Sequence, residues 1–202
     1  SKICAAKDYQ RFWSSGYDGA IKYWTIEDNS IFCERTLWEN NKRTNMQINC
    51  MVLSWNEQFL CVGSQDCTIS IISSSSGQLL SNFNAHKMGV QCLAIKRNDL
   101  TLYSGGSDNS IRIWKIGMLG QPPDCIKVLD ELESAILNIA VSNDGLTMVT
   151  TCNTELIVWD TQSWKVKKQF VAHKNEILCL VNFPESNIFA SGGMDKMMKF
   201  WS

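Results

Sequence analysis

Three residue types in this chain could together do nucleophilic chemistry, and they occur twice at one spacing. His86, Ser104 and Asp108 form one set, and His173, Ser191 and Asp195 form the other; in both, the histidine precedes the serine by 18 residues. Ser, His and Asp are the equipment of acyl transfer: the imidazole takes the hydroxyl proton and the carboxylate orients the imidazole. Such a serine must be exposed beside an open oxyanion site, so the reading depends on where the surrounding elements put these groups. No other chemistry competes. There is no Gly-x-Gly-x-x-Gly or Gly-x-x-x-x-Gly-Lys for phosphate, no His-Glu-x-x-His and no paired acidic motif. The nine cysteines include no Cys-x-x-Cys, and no histidine stands at zinc-ligand spacing from a cysteine pair. No cofactor or metal is expected.

Both sets lie in one recurring phrase. Its clearest copy is Ser104-Gly105-Gly106-Ser107-Asp108-Asn109-Ser110-Ile111-Arg112-Ile113-Trp114, and a near twin runs from Ser191 to Trp201. A third copy carries Ser14, Asp18 and Trp24. Weaker copies run from Val62 through Asp66 to Ile72 and from Val149 through Asn153 to Trp159. The closing positions fall at intervals of 48, 42, 45 and 42 residues, which marks a repeat architecture. Within a copy, residues alternate towards the Asp, a tight turn follows, and β-branched or aromatic residues alternate away from it. Each copy is therefore a β-hairpin inside a larger antiparallel unit.

These repeats resemble the WD40 family of β-propellers, built from four-stranded antiparallel blades. The resemblance spans essentially the whole chain, with Ala85-His86 and Ala172-His173 where the family usually has Gly-His. It implies that His86, Ser104, Asp108 and Trp114 are one structural tetrad and His173, Ser191, Asp195 and Trp201 a second, with Ser14, Asp18 and Trp24 a partial one. By the same resemblance these groups are buried and satisfy one another, so the catalytic reading is rejected and the protein is expected not to be an enzyme. Blade 2 has Thr44, Val62 and Ile72 at the His, Ser and Trp places, and blade 4 has Leu132, Val149 and Asn153 at the His, Ser and Asp places. Both are expected to rely on apolar packing and to be the less rigid blades.

Aligned on the Asp, the blades span about 1–37, 45–84, 86–130, 132–170 and 173–202 of one propeller domain. The fifth lacks an outer strand, and the family most often closes seven blades. The expectation is an all-β, WD40-type propeller of about five blades belonging to a larger ring. The polar stretch Glu39 to Asn45 and the segment Gly117 to Pro123 read as loops, and Ser73 to Ser76 as a serine-rich turn.

The bulk properties narrow the partners. Nineteen basic and 20 acidic residues leave a net charge of −1, no field to hold nucleic acid or an anionic membrane. No run approaches 18 apolar residues, and no signal peptide is visible. The odd cysteine count and the lack of an Asn-x-Ser/Thr sequon fit a reducing compartment, cytoplasmic or nuclear. Cys50, Cys92 and Cys179 share one place in three repeats and read as small core residues. Lys165, Lys167 and Lys168 read as a solvated edge that discourages strand pairing, and Trp55 and Trp164 as candidate exposed anchors.

In this family, residues before the tetrad Asp and early in the first strand tend to surround the central channel. Here they are Tyr17, Gln65, Ser107, Cys152 and Met194, then Asn49, Gln91, Leu137 and Leu178. The set is nearly uncharged and lacks the arginine cluster of a phosphopeptide reader. The resemblance implies a non-catalytic scaffold that presents this face and its loops to other proteins or short peptide segments, with no small-molecule substrate evident. Alternatives are a substrate-receptor or regulatory domain of a larger protein, which could carry a fused catalytic domain, and, with less support, an RNA-associated ribonucleoprotein component.

Overall fold

The computed structural model describes residues 2–38, 47–97, 100–117, 121–130, 132–183 and 186–202. The described residues form strands and turns, grouped in five antiparallel sheets. The first sheet is β1 (Lys2–Ala5), β2 (Arg11–Ser15), β3 (Ile21–Glu27) and β4 (Ser30–Trp38). The second is β5 (Ile48–Leu53), β6 (Phe59–Ser64), β7 (Thr68–Ser73) and β8 (Leu79–Asn84). The third is β9 (Val90–Ile95), β10 (Thr101–Gly106), β11 (Ile111–Lys115) and β12 (Asp124–Leu129). The fourth is β13 (Ile136–Val141), β14 (Thr147–Cys152), β15 (Glu155–Asp160) and β16 (Val166–Val171). The fifth has three strands, β17 (Ile177–Asn182), β18 (Phe189–Gly193) and β19 (Met198–Trp201). In every sheet the strands pair in chain order.

The first strands of successive sheets are neighbours, β1 with β5, β5 with β9, β9 with β13 and β13 with β17. That adjacency sets the sheets as propeller blades around a shared axis. The core lies in the seams between blades. The third strand of one blade supplies one wall, for example Ile69 and Ile71, and the next blade supplies Val90, Leu102 and Trp114 as the other. The same pairing brings Ile111 and Ile113 against Ile136, Ile139, Met148 and Trp159. Burying each such isoleucine contributes roughly 1.5–3 kcal/mol. On blade 5 the corresponding wall is open: Met198 is 66% exposed, Phe200 60% and Val181 53%.

The glycines of the phrase make room. A Cβ on Gly105 would come within 2.7 Å of both Cys92 Sγ and Ile136 Cγ2. One on Gly106 would come within 2.5 Å of His86 Nδ1 and 2.6 Å of Asp108 Oδ1. The first glycine thus admits a cysteine from the neighbouring strand, and the second admits the His–Asp pair. The turn residue after the Asp is left-handed where it can be compared: Gly19 at φ 77°, Cys67 at 73°, Asn109 at 59° and Lys196 at 64°.

Two sequence expectations are corrected. Val149 is not at the serine place of blade 4. The pairing of Met148 with Trp159 and of Thr150 with Ile157 matches Leu102 with Trp114 and Ser104 with Arg112, so Thr150 holds that place. The blade 4 turn is one residue shorter, and alignment on the Asp position slipped the register. Trp164 is also not an exposed anchor, whereas Trp55 is exposed, at 41%. Trp55 lies between the Lys7 ammonium, 4.0 Å from its ring, and the Arg97 guanidinium, 3.6 Å away; Trp164 is half-buried with its ring 6.2 Å from Tyr103. Thr44 and the stretch Glu39 to Asn45 lie outside the described residues, as do residues 118–120 of the Gly117 to Pro123 segment.

Candidate functional site

The buried polar groups come together as two nearly identical networks. In blade 3, His86 Nδ1 lies 2.9 Å from Asp108 Oδ1 and His86 Nε2 lies 2.7 Å from Ser104 Oγ. The Trp114 indole N–H donates to Ser104 Oγ at 2.9 Å. In blade 5 the matching distances are 2.9, 2.8 and 2.9 Å, through His173, Asp195, Ser191 and Trp201. Asp108 also accepts from the Lys87 backbone and the Ser110 hydroxyl, and Asp195 accepts from the Lys174 and Met197 backbones. Each network ties the loop before its blade to the second and third strands, fixing their register.

Electrostatics follow from this wiring. Burial holds the His86 imidazole below its ordinary 6.5, against the pull of Asp108. A neutral ring donates from Nδ1 to the carboxylate and accepts the Ser104 proton at Nε2. Burial works to raise Asp108 too, but donors from Lys87, Ser110 and His86 outweigh it and hold the carboxyl at about 2. Asp195 is held at about 2 in the same way, burial being outweighed by His173 and the Lys174 and Met197 amides.

The order Ser–His–Asp is that of a hydrolase triad, yet it cannot act as one in this setting. Ser104 is fully buried and Ser191 is 1% exposed. The indole N–H occupies a serine lone pair where a substrate carbonyl would have to approach. These are positioning groups.

The partial tetrad keeps its serine–tryptophan half, with Trp24 Nε1 donating to Ser14 Oγ at 2.8 Å, while Asp18 accepts from the Ala20 amide. Blade 4 keeps the same half through Trp159 Nε1 and Thr150 Oγ1 at 3.0 Å. In blade 2 the serine and tryptophan places are apolar, with Val62 and Ile72 buried together.

The open site is the mouth of the central channel, a cleft of about 490 Å³. Tyr17, Asn49, Gln65, Gln91, Leu137 and Leu178 line it, together with Lys2, Gln47 and Asn138. The reason is a repeated β-bulge. The strand pairings step from Ile48 to Cys50, Val90 to Cys92, Ile136 to Asn138 and Ile177 to Cys179, leaving Asn49, Gln91, Leu137 and Leu178 each as the extra residue. An extra residue re-aims its side chain off the sheet, here towards the axis. Asn49 donates to Gln65 Oε1 at 2.9 Å and to the Val90 carbonyl of the next blade at 3.0 Å; Gln91 donates to Ser107 Oγ at 2.8 Å.

Three of the nine face candidates stand apart from the cleft lining. Ser107 is engaged by Gln91, and Met194 is 57% exposed. Cys152 is a correction: it is 7% exposed and pairs with Ile136, the place Gly106 takes opposite Val90, because of the shortened blade 4 turn. Asn138 was missed. It stands in register with Cys50 and Cys92 and donates to the Ile177 carbonyl at 3.4 Å, as Cys92 donates to Ile136. The strand register carried that signal, and the residue type hid it.

Comparison with known proteins gives two family matches. Residues 24–98 match the anaphase-promoting complex subunit 4 WD40 domain, and residues 164–202 match the WD domain, G-beta repeat. The chain is 26% identical over 141 residues to autophagy-related protein 16 of Arabidopsis thaliana, covering 68% of this chain and 27% of that protein. It is 22% identical to an uncharacterized WD repeat-containing protein of Schizosaccharomyces pombe, covering 95% of this chain and 62% of that one. It is 28% identical to a THO complex subunit 6 homolog of Danio rerio, covering 60% of this chain and 39% of that one. The chain thus spans less than two thirds of the length of these relatives.

Proposed function

We infer that this chain, which belongs to the WD40-repeat β-propeller family, is a non-catalytic scaffold that binds short protein segments at the mouth of its channel. Propellers of this family generally hold partners rather than transform substrates. The observation that carries the reading is convergence: residues from all five blades, Tyr17, Asn49, Gln91, Leu137 and Leu178 among them, line one cleft. The lining offers amide donors and acceptors from Asn49, Gln65 and Gln91, apolar surface from Tyr17, Leu137 and Leu178, and one cation in Lys2. Amides match a peptide backbone, and apolar groups match one or two uncharged side chains. The sparse charge argues against a phosphorylated or nucleic-acid ligand.

The scaffold works in a reducing compartment, cytoplasmic or nuclear, where nine unpaired thiols such as those of this chain persist. The test places a photo-crosslinking amino acid at Tyr17 or Leu178 of the full-length protein in cells, with exposed Ser76, in the turn between β7 and β8, as control. Discrete protein adducts from the mouth positions, lost when Gln65→Trp fills the cleft, support the reading. Adducts that form equally from Ser76, or that survive Gln65→Trp, overturn it.

The shares of the relatives that are covered favour a second reading, in which the propeller is the receptor or regulatory domain of a longer protein. It keeps the same binding mouth.

A further inference from the structure

We propose that the outer seam between blades 3 and 4 is a second docking site, which takes an aromatic side chain from an acidic segment of a partner protein. One position on the outer strand faces each seam. In register these positions are Trp38 opposite Ile21, Phe83 opposite Ile69, Leu129 opposite Ile111 and Phe170 opposite Leu156. Three are aromatic rings that reach towards the next blade. Phe83 packs on Trp114 of the next blade at 5.0 Å, and Phe170 on Trp201 at 5.1 Å. At the first seam Trp38 and Ile72 line a pocket of only about 10 Å³.

The seam of blades 3 and 4 has Leu129 in place of the ring. Among the described residues Trp159, the counterpart of Trp114 and Trp201, meets no aromatic partner, and a groove of about 520 Å³ runs between β12 and β16. Its apolar lining includes Leu129, Trp159 and Trp164. A ring supplied from outside would occupy the place that a ring of the chain itself fills elsewhere, against a tryptophan already suited to it.

The rim of the groove selects the company of that ring. Lys127 and Lys165 both line it, both are exposed, and neither has an ion pair among the described residues; one acid, Asp130, also lines it. The balance is positive, so acidic residues beside the ring are favoured. The seam of blades 4 and 5 keeps a cleft of about 670 Å³ lined by Phe170 and Trp201 themselves, beside the third strand of a three-stranded sheet, so the like comparison for Leu129 is Phe83 at the seam of blades 2 and 3.

The test uses the full-length protein and fluorescein-labelled nonapeptides with a central Phe or Trp between glutamates, read by fluorescence anisotropy. Replacing the central ring by Ala, or the glutamates by lysines, weakens binding by about tenfold or more. Leu129→Phe, which installs the residue of the neighbouring seams, weakens it equally while leaving the melting temperature unchanged or raised. Lys127→Glu with Lys165→Glu, a surface change, also weakens it and reduces its salt dependence. Absence of binding by every aromatic peptide, or binding indifferent to Leu129→Phe, overturns the proposal. So does a concentration-dependent dimer that Leu129→Phe abolishes, which would assign the groove to a second copy of the chain.

Discussion

Blades 3 and 5 carry the same polar network and opposite apolar surroundings. Their His–Asp, His–Ser and Trp–Ser distances agree within 0.1 Å. Yet Ile111 and Ile113 are fully buried, while their counterparts Met198 and Phe200 are more than half exposed. The network is closed by residues of one blade and the loop before it, whereas the apolar wall depends on whatever stands next. Polar register and seam burial are therefore separable contributions, and substitutions at matched positions can separate them.

The largest contrast is expected at the wall. Ile113→Ala removes a side chain packed between two blades and is expected to cost about 2–5 kcal/mol. Phe200→Ala, at the matching register, is expected to stay within about 0.5 kcal/mol. Urea unfolding of both variants gives the two numbers, and equal costs would mean that the exposed wall is covered in solution. Next comes the serine. Ser104→Ala strands the Trp114 indole and the His86 ring in a dry site, which costs about 1–3 kcal/mol. Ser191→Ala should cost less, because Trp201 is only partly buried and its N–H can turn to water. A blade 5 cost as large as that of blade 3 would show that the network, not its cover, sets the energy.

This contrast also explains what the sequence made legible. Periodicity at two-residue spacing, turn chemistry and the 42-to-48-residue repeat are local signals, and they made the all-β fold of repeated antiparallel blades legible. Blade 4 escaped because, with Trp159 aligned, a single missing turn residue moves every assignment before the turn by one: Val149 was read in the place of Thr150, and Cys152 as a face residue. The bulged residues were legible because each sits beside the first buried residue of its strand, at Ile48, Val90, Ile136 and Ile177. The Asn49 contact with the Val90 carbonyl of the next blade and the groove beside Leu129 were not legible. They depend on how far apart two blades stand, which no residue spacing encodes.

Acid should divide the blades in a second way. The His86 imidazole is held below its ordinary 6.5, so below that pH the unfolded chain takes up the proton first and stability falls. Asp108 and Asp195, held at about 2 against an ordinary 3.8, contribute stability that is present above about pH 4 and lost as the pH falls towards 2. Melting temperature followed from pH 7.5 to 3 should therefore decline in two stages. His86→Gln should flatten the upper stage and leave the lower one, which Asp195 still carries. An unchanged upper stage in that variant would remove His86 as its source.

The smallest effect is a reactivity, and it reads the cover of blade 5 directly. Cys50, Cys92 and Cys179 occupy the matching register opposite Gly63, Gly105 and Gly192. Burial pushes the Cys50 thiol up to about 12 and Cys92 well above its ordinary value, so neither offers thiolate at neutral pH. Cys179 is exposed. Iodoacetamide followed by peptide mass spectrometry should therefore label Cys179, with exposed Cys33 and Cys125, in the native 202-residue chain, and reach Cys50 and Cys92 only after unfolding. The informative case is the natural full-length protein. If Cys179 becomes as slow as Cys92 there, another element covers the wall of Met198 and Phe200, and blade 5 becomes an interior blade like blade 3. If Cys179 stays fast, that wall is a true outer surface, and its exposed methionines and phenylalanine are part of what the propeller shows to its surroundings.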